Sequence, residues 1–209
     1  MRPTITLLFK IVYNARMDDN KQKILDAASV LFLQGGAAAL SVRSIAAQAG
    51  LSTMGIYSHF KGKQGILDAL YIEGFEQVEA AMTAVPGELS GKEQVLQACR
   101  NYLNNAERHE AHYRLIFGDR DKAYQPSTEA IAVAERAFKA LTRNVACILP
   151  QEADASIRRD SAIRIWSVVH GFVGLKQHLV NTVVGVEDWQ DRALDTVAAV
   201  IEHIQAKHP

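Results

Sequence analysis

Between residues 41 and 63 the chain concentrates side chains suited to meeting an anionic polymer. Ser41, Ser52 and Thr53 bring hydroxyls, Tyr57 a phenol, His59 an imidazole, and Arg43 and Lys63 cations. Hydroxyls, ammonium groups and helix N-termini bind the phosphate oxygens that fix a protein's register on a duplex. Ser41, Tyr57 and Lys63 fall where such groups meet phosphates. Arg43, in the first turn of a short helix, is placed to reach the backbone or a base. Thr53, Met54 and Gly55 open a second short helix, and residues near such an N-terminus read base edges in the major groove. Thr53 can bond a base edge or a phosphate, and Met54 can touch a thymine methyl. Gly55 offers no side chain, only close approach of its backbone.

Other constellations carry less. His109 and His112 share a helix face at i, i+3, but no third ligand stands in register, so no metal is expected. Asp160, Ser161 and His170 are the residue types of a hydrolytic triad. Nothing sets the serine on a strained turn with a base beside it, so no catalytic residue and no enzymatic activity are expected. Cys99 and Cys147 show neither metal-ligand spacing nor a disulfide framework. They read as small core residues of a chain kept in a reducing cytoplasm.

The elements that must hold residues 41–63 follow from apolar spacing and from helix breakers. A first helix is expected from Asp18–Asp19 to the Gly35-Gly36 stop, with Ile24, Leu25, Ala28, Leu31 and Phe32 on one stripe. Ser41 caps a short helix from Val42 to Ala49 that ends at Gly50, and Ser52 caps another that ends near His59. Two such helices joined by a glycine turn make a helix-turn-helix unit. Ile45, Ala46 and Ala49 form its inner face, Leu51 plugs the turn, and Ile56 and Phe60 bury the second helix. A long helix starts near Lys63, carries Ile66, Leu67, Leu70, Tyr71 and Phe75, and breaks at Pro86-Gly87. Beyond it, helical segments are expected at 91–108, 110–118, 127–149, 153–183 and 187–206. No alternation of the kind a strand needs appears, so the fold class is all-α.

Charge is segregated along the chain although it sums to zero over the 209 residues. Residues 1–63 hold eight Lys or Arg against three acidic residues, and the remainder carries the balancing acidic excess. A basic amino-terminal head on an acidic body suits phosphate binding. Hydrophobic residues at 48% and charged residues at 22% are the balance of an ordinary globular chain. The apolar run around residues 5–13 is interrupted by Lys10 and falls short of the roughly 18 residues a membrane span needs. Residues 1–16 are read as a disordered or loosely docked extension, and no membrane partner is expected.

Ser41, Ile45-Ala46, Ala49-Gly50-Leu51-Ser52, Ile56-Tyr57-Ser58-His59-Phe60 and Lys63 together resemble the DNA-binding domain of the TetR/AcrR family of regulators. Leu51 stands where that pattern has Val. The resemblance divides the chain into an extension (1–16), a helix-turn-helix domain (17–66) and a ligand-sensing and dimerisation domain (67–209). It implies a DNA-binding transcriptional regulator, most simply a ligand-responsive repressor acting as a homodimer on a palindromic operator in double-stranded DNA. No cofactor is expected beyond a small-molecule effector.

Two features of the body support that reading. The segment 153–183 carries Ile163, Trp166, Val169, Val173 and Val180, with Gly171 and Gly174 inside it, and such glycines ask for close helix–helix approach. Its Trp166-x3-His170-Gly171 pattern is similar to one in a subgroup of these regulators. The last helix offers Ala193, Leu194, Val197, Val200, Ile201 and Ile204, so the homodimer is expected through the last two helices. The polar and aromatic group His109, His112, Tyr113, Phe117, Trp166 and His170 is expected around the effector pocket.

Overall fold

A computed structural model describes residues 5–118, 124–177 and 188–208, with the side chains of 5–17 excepted. Among these residues the chain is helical throughout, with no strand. The helices are α1 (Ile5–Gly35), a 3-10 turn (Gly36–Ala39), α2 (Val42–Ala49), α3 (Thr53–His59) and α4 (Lys63–Thr83). They continue as α5 (Gly91–Arg108), α6 (Glu110–Phe117), α7 (Thr128–Ala146), α8 (Ala155–Gln177) and α9 (Trp189–Lys207).

Most boundaries fall at the expected breakers, and α1 is the exception. It begins at Ile5, so from there on the segment read as a disordered or loosely docked extension has helical backbone. No proline or glycine stands between Ile5 and Gln34 to end the helix, and breakers set helix ends more sharply than polarity does. The segment expected at 153–183 is described as far as Gln177, and Val180 lies outside the described residues.

Contacts divide the chain into two compact units. One comprises Met1–Gly74 and Ala111–Ile131, the other Phe75–Glu110 and Ala132–Pro209, so one division falls inside α4. In the first unit α1 packs on α2, α3 and the 3-10 turn. Ile24, Ala28, Phe32, Leu40, Ile45, Ile56, Ile66 and Leu70 are all 3% exposed or less and form its core. Residues 124–127, leading into α7, are tied to the start of α4. Asp68 accepts from the Tyr124 hydroxyl and the Ser127 N–H, both at 2.9 Å, while Ser127 Oγ caps the Ala130 N–H. In the second unit α9 packs on α8 and on α5. Val95, Leu103, Ile165, Val169, Val197 and Ile201 are fully buried there.

Candidate nucleic-acid interface

The α2–α3 pair is held by its caps. Ser41 Oγ accepts from the Ser44 N–H at 3.0 Å and Ser44 Oγ accepts from the Ser41 N–H at 3.0 Å, a reciprocal capping box. Ser44 Oγ also donates to the Ala39 carbonyl at 2.8 Å, which fastens the start of α2 to the preceding turn. Gly50 ends α2 with φ +67°. Its N–H reaches the Ala47 carbonyl at 3.3 Å, and the Leu51 N–H reaches that of Ala46 at 2.9 Å. These two bonds satisfy carbonyls at the end of α2 and turn the chain in a way that favours glycine. Ser52 Oγ then accepts from the Gly55 N–H at 3.0 Å and starts α3. Ser41→Ala should therefore lower the stability of the head by about 1 kcal/mol, measured as a shift in chemical-denaturation midpoint.

Ile45, Ala46 and Ile56 are buried between the helices, as the spacing predicts. Ala49, Leu51 and Phe60 are only half-buried. Phe60 has left the helix for extended backbone, φ −134° and ψ 149°, so it flanks the core rather than entering it.

The opposite face is open. Met54 is 77% exposed and Tyr57 60%, and Ser41, Arg43, Ser52, Thr53 and Ser58 are exposed with them. Gly55 is half-buried, and a methyl built there lies 3.6 Å from Ser52 Oγ and 3.8 Å from Leu51 Cβ, ordinary contacts. Gly62 has φ +83°, and a methyl on it would stand 3.3 Å from the Tyr57 ring. That glycine permits both the turn and the lie of the phenol across it. Lys63, half-buried, donates to the Ala37 carbonyl at 3.2 Å, bracing α4 on the 3-10 turn. His59 is half-buried, and its Nδ1 is shut from solvent without a hydrogen-bond partner.

The residues expected around a pocket are divided between the two units. His112 Nε2 stands 3.1 Å from a Glu73 carboxylate oxygen. Tyr113 and Phe117 pack their rings 5.0 Å apart. These three belong to the first unit, whereas His109, Trp166 and His170 belong to the second. Trp166 Nε1 donates to the Tyr102 hydroxyl at 3.1 Å and its ring lies 5.4 Å from that of His170. Burial lowers the pKa of His170 below the ordinary histidine value, because the imidazolium loses hydration there. His109 lines a cavity of about 490 Å³ between α4 and α5 together with Gln77, Asn104, Asn105 and Arg108. Those four were not singled out in the sequence. Asn101, Asn104, Asn105 and Arg108 do recur at i, i+3, i+4 and i+7, a polar stripe that marks one face of α5. Among the described residues no cluster of three or more His, Cys, Asp or Glu could hold a metal ion. No described helix is long and apolar enough to cross a membrane.

The fold and the capped helix pair define a helix-turn-helix DNA-binding protein with a helical C-terminal body. The model of the tetR family of bacterial regulatory proteins matches residues 24–70. That of the tetracyclin repressor-like C-terminal domain matches residues 95–200, half of the chain. The chain belongs to the tetR family. It is a transcriptional regulator with a DNA-binding domain and not an enzyme. "Probable HTH-type transcriptional regulator YttP" of Bacillus subtilis (strain 168) is 31% identical over 100 residues, which span 46% of this chain and 48% of that protein. The chain thus matches about half the length of that relative. Among solved structures, the TetR family regulator PfmR of Thermus thermophilus superposes with a TM-score of 0.69 at 19% identity, over 86% of this chain and 97% of that one. A tetR family regulatory protein from Rhodococcus RHA1 gives 0.69 at 21%, over 88% and 96%. At such identities the likeness is one of fold.

Proposed function

We propose that the protein is a ligand-responsive repressor that binds a palindromic operator as a homodimer in the cytoplasm. The observation that carries this is the open face of the helix pair: Thr53, Met54 and Tyr57 stand out on α3 with Arg43 on α2, while the other face is buried. Thr53, Met54 and Gly55 read base edges. Ser41, Arg43, Ser52, Tyr57, His59 and Lys63 meet phosphates, aided by the N-termini of α2, α3 and α4. Lys63 serves twice, since its ammonium also braces the 3-10 turn. A two-fold dimer sets two such helices about 34–36 Å apart, in successive major grooves.

The dimer forms through α8 and α9. Ile163 and Leu175 are exposed at 40% and 46%. Ser167 and Gly171, both exposed, continue the same row at four-residue spacing. The apolar stripe of α9 is spent inside the subunit, where Ala193, Leu194, Val197, Ile201 and Ile204 are buried; Val200 is half-buried and the other apolar residues near its surface are alanines. A small effector bound in the C-terminal unit favours a conformer whose heads no longer match the groove spacing. It does so by its differential affinity for the two conformers. Of the residues expected to hold it, His109 lines a described cavity of that unit, and Trp166 with His170 forms a second polar-aromatic group in it.

Arg43→Ala should weaken binding to every duplex and reduce the slope of log affinity against log salt by about 1. Fluorescence anisotropy over a salt series measures both. An unchanged slope removes Arg43 from the phosphate set. Sequences selected from random DNA by the intact protein should be palindromic, and a selected site without two-fold symmetry overturns the dimeric reading.

A further inference from the structure

The cavity between α4 and α5 has a chemistry that DNA binding does not use. One wall is formed by Ala80 and Ala81 of α4 and by Ala84 just past its end, a small apolar floor. Facing it, α5 contributes Asn104, Asn105 and Arg108, and no Asp or Glu lines the space. Asn101 is fully engaged there: its Nδ2 donates to the carbonyls of Ala81 at 3.1 Å and Ala84 at 2.8 Å, and its Oδ1 accepts from Gln97 at 2.9 Å. That bonding clamps α5 to the end of α4, so the walls are fixed before anything binds.

Asn104, Asn105, Arg108 and Gln77 are not engaged in this way. Asn104 and Asn105 make no side-chain hydrogen bond among the described residues, and Arg108, exposed, pairs with no described carboxylate. Gln77 Oε1 is shut from solvent and has no hydrogen-bond partner. Burying such a group unpaired costs free energy, and three asparagines on one helix face cost helix propensity as well. A partner for these groups offsets both costs. Three carboxamides supply donors and acceptors suited to hydroxyl or amide groups, and a guanidinium supplies a forked donor suited to a carboxylate. An apolar ligand would strip water from Asn104, Asn105 and Arg108 without replacing it, and would leave Gln77 Oε1 unpaired. A volume of about 490 Å³ suits a small molecule.

We infer that the α4–α5 cavity binds a small carboxylate bearing hydroxyl or amide groups, its carboxylate on Arg108, its polar substituents on Gln77, Asn104 and Asn105, and its carbon skeleton on the alanine floor. As the identity of the effector, this rests on the ligand-responsive reading above. The site also bears on the chain's course: α5 ends at Arg108, His109 is its C-cap, and α6 starts at the next residue. A ligand on Arg108 therefore holds the residue before that junction.

The experiment is a thermal-shift and calorimetric screen of the full chain with two sets of compounds. The polar set is citrate, gluconate, glutamine and N-acetylglutamate; the apolar set is indole and decanol. At least one member of the polar set should raise the melting temperature. Arg108→Ala should bind that member at least tenfold more weakly, and Asn105→Ala more weakly by a smaller factor, with unchanged circular dichroism. Stabilisation by the apolar set alone overturns the inference, as does a screen in which no polar member binds, or an Arg108→Ala protein that binds as well as the original. Adding the bound member to the protein–operator complex separates the two readings. Binding that depends on Arg108 but leaves the complex intact upholds the cavity and sinks ligand responsiveness. Release of DNA by an apolar compound does the reverse.

Discussion

Gly171→Glu is expected to convert the protein from a dimer to a monomer at micromolar concentration, with each subunit still folded. Gly171 and Gly174 sit inside α8, where each costs about 1 kcal/mol relative to alanine. Within the subunit nothing calls for them, because a methyl built on either meets no atom within 4 Å. In the proposed dimer a second copy calls for them. Ile163, Ser167, Gly171 and Leu175 form one row along the exposed side of α8, large at the ends and small in the middle. A row of that shape lets a facing helix come close at its centre while the large residues interlock beyond it. In a two-fold pair the same patch occurs on both copies, so one substitution brings two carboxylates into the contact. Glutamate is also a better helix former than glycine, so the subunit should lose no stability. Light scattering should report the monomer mass, and operator affinity should fall more than a hundredfold, because two heads no longer share one effective concentration on the DNA. A Gly171→Glu protein that remains dimeric places the interface elsewhere, and Gly171→Ala, expected to stay dimeric, controls for the loss of glycine alone.

Most of this architecture was legible in the sequence because the chain marks its helix ends with strong local signals. Ser41 and Ser52 cap, Gly50 supplies the positive φ, and Pro86, Pro126 and Pro150 stand in the connections. Such signals act over three or four residues and survive any tertiary arrangement. The start of α1 was not legible for the opposite reason: with no stop signal after Thr4, polarity alone suggested an extension where the backbone continues as helix. Depth of burial was harder still. Leu51 and Phe60 have the spacing of core residues, but how far each enters depends on partners brought from α1 and α4, which period alone does not give.

The lining of the α4–α5 cavity was the least legible part. His109, His112, Tyr113, Phe117, Trp166 and His170 were grouped by chemical type, and the structure distributes them between two compact units. Grouping by type carries no information on this division, because a pocket is made by the register between helices, and helix register is a tertiary quantity. Asn104 and Asn105 show the converse. Singly each asparagine looks like a solvated surface residue, and only the i, i+3, i+4, i+7 stripe with Asn101 and Arg108 shows a polar face too regular to be incidental. Packed against the alanines of α4, that stripe becomes a lined cavity.

Gly55→Ala should separate what the fold needs from what DNA reading needs. Residue 55 is the third residue of α3, and an added methyl there meets Ser52 Oγ at 3.6 Å and Leu51 Cβ at 3.8 Å, distances the fold accepts without adjustment. Alanine is also the better helix former, by up to about 1 kcal/mol. The variant should therefore melt at the same temperature or higher, and its α2–α3 scaffold should be unchanged. DNA affinity is expected to move the other way and fall at least tenfold. The start of α3 carries no Lys or Arg that could reach a base from a distance; it presents Thr53, Met54 and the backbone at Gly55. Short side chains touch base edges only if the helix axis comes close to the groove floor, and a methyl on the approaching surface lifts it away. Because each contact of Thr53 and Met54 depends on that approach, the loss should be larger for the selected operator than for unrelated duplex, which phosphate contacts hold at longer reach. Anisotropy titrations against both duplexes measure the ratio. If the two affinities fall by the same factor, Gly55 serves phosphate contact and not reading; if neither falls, α3 does not approach the groove through this residue.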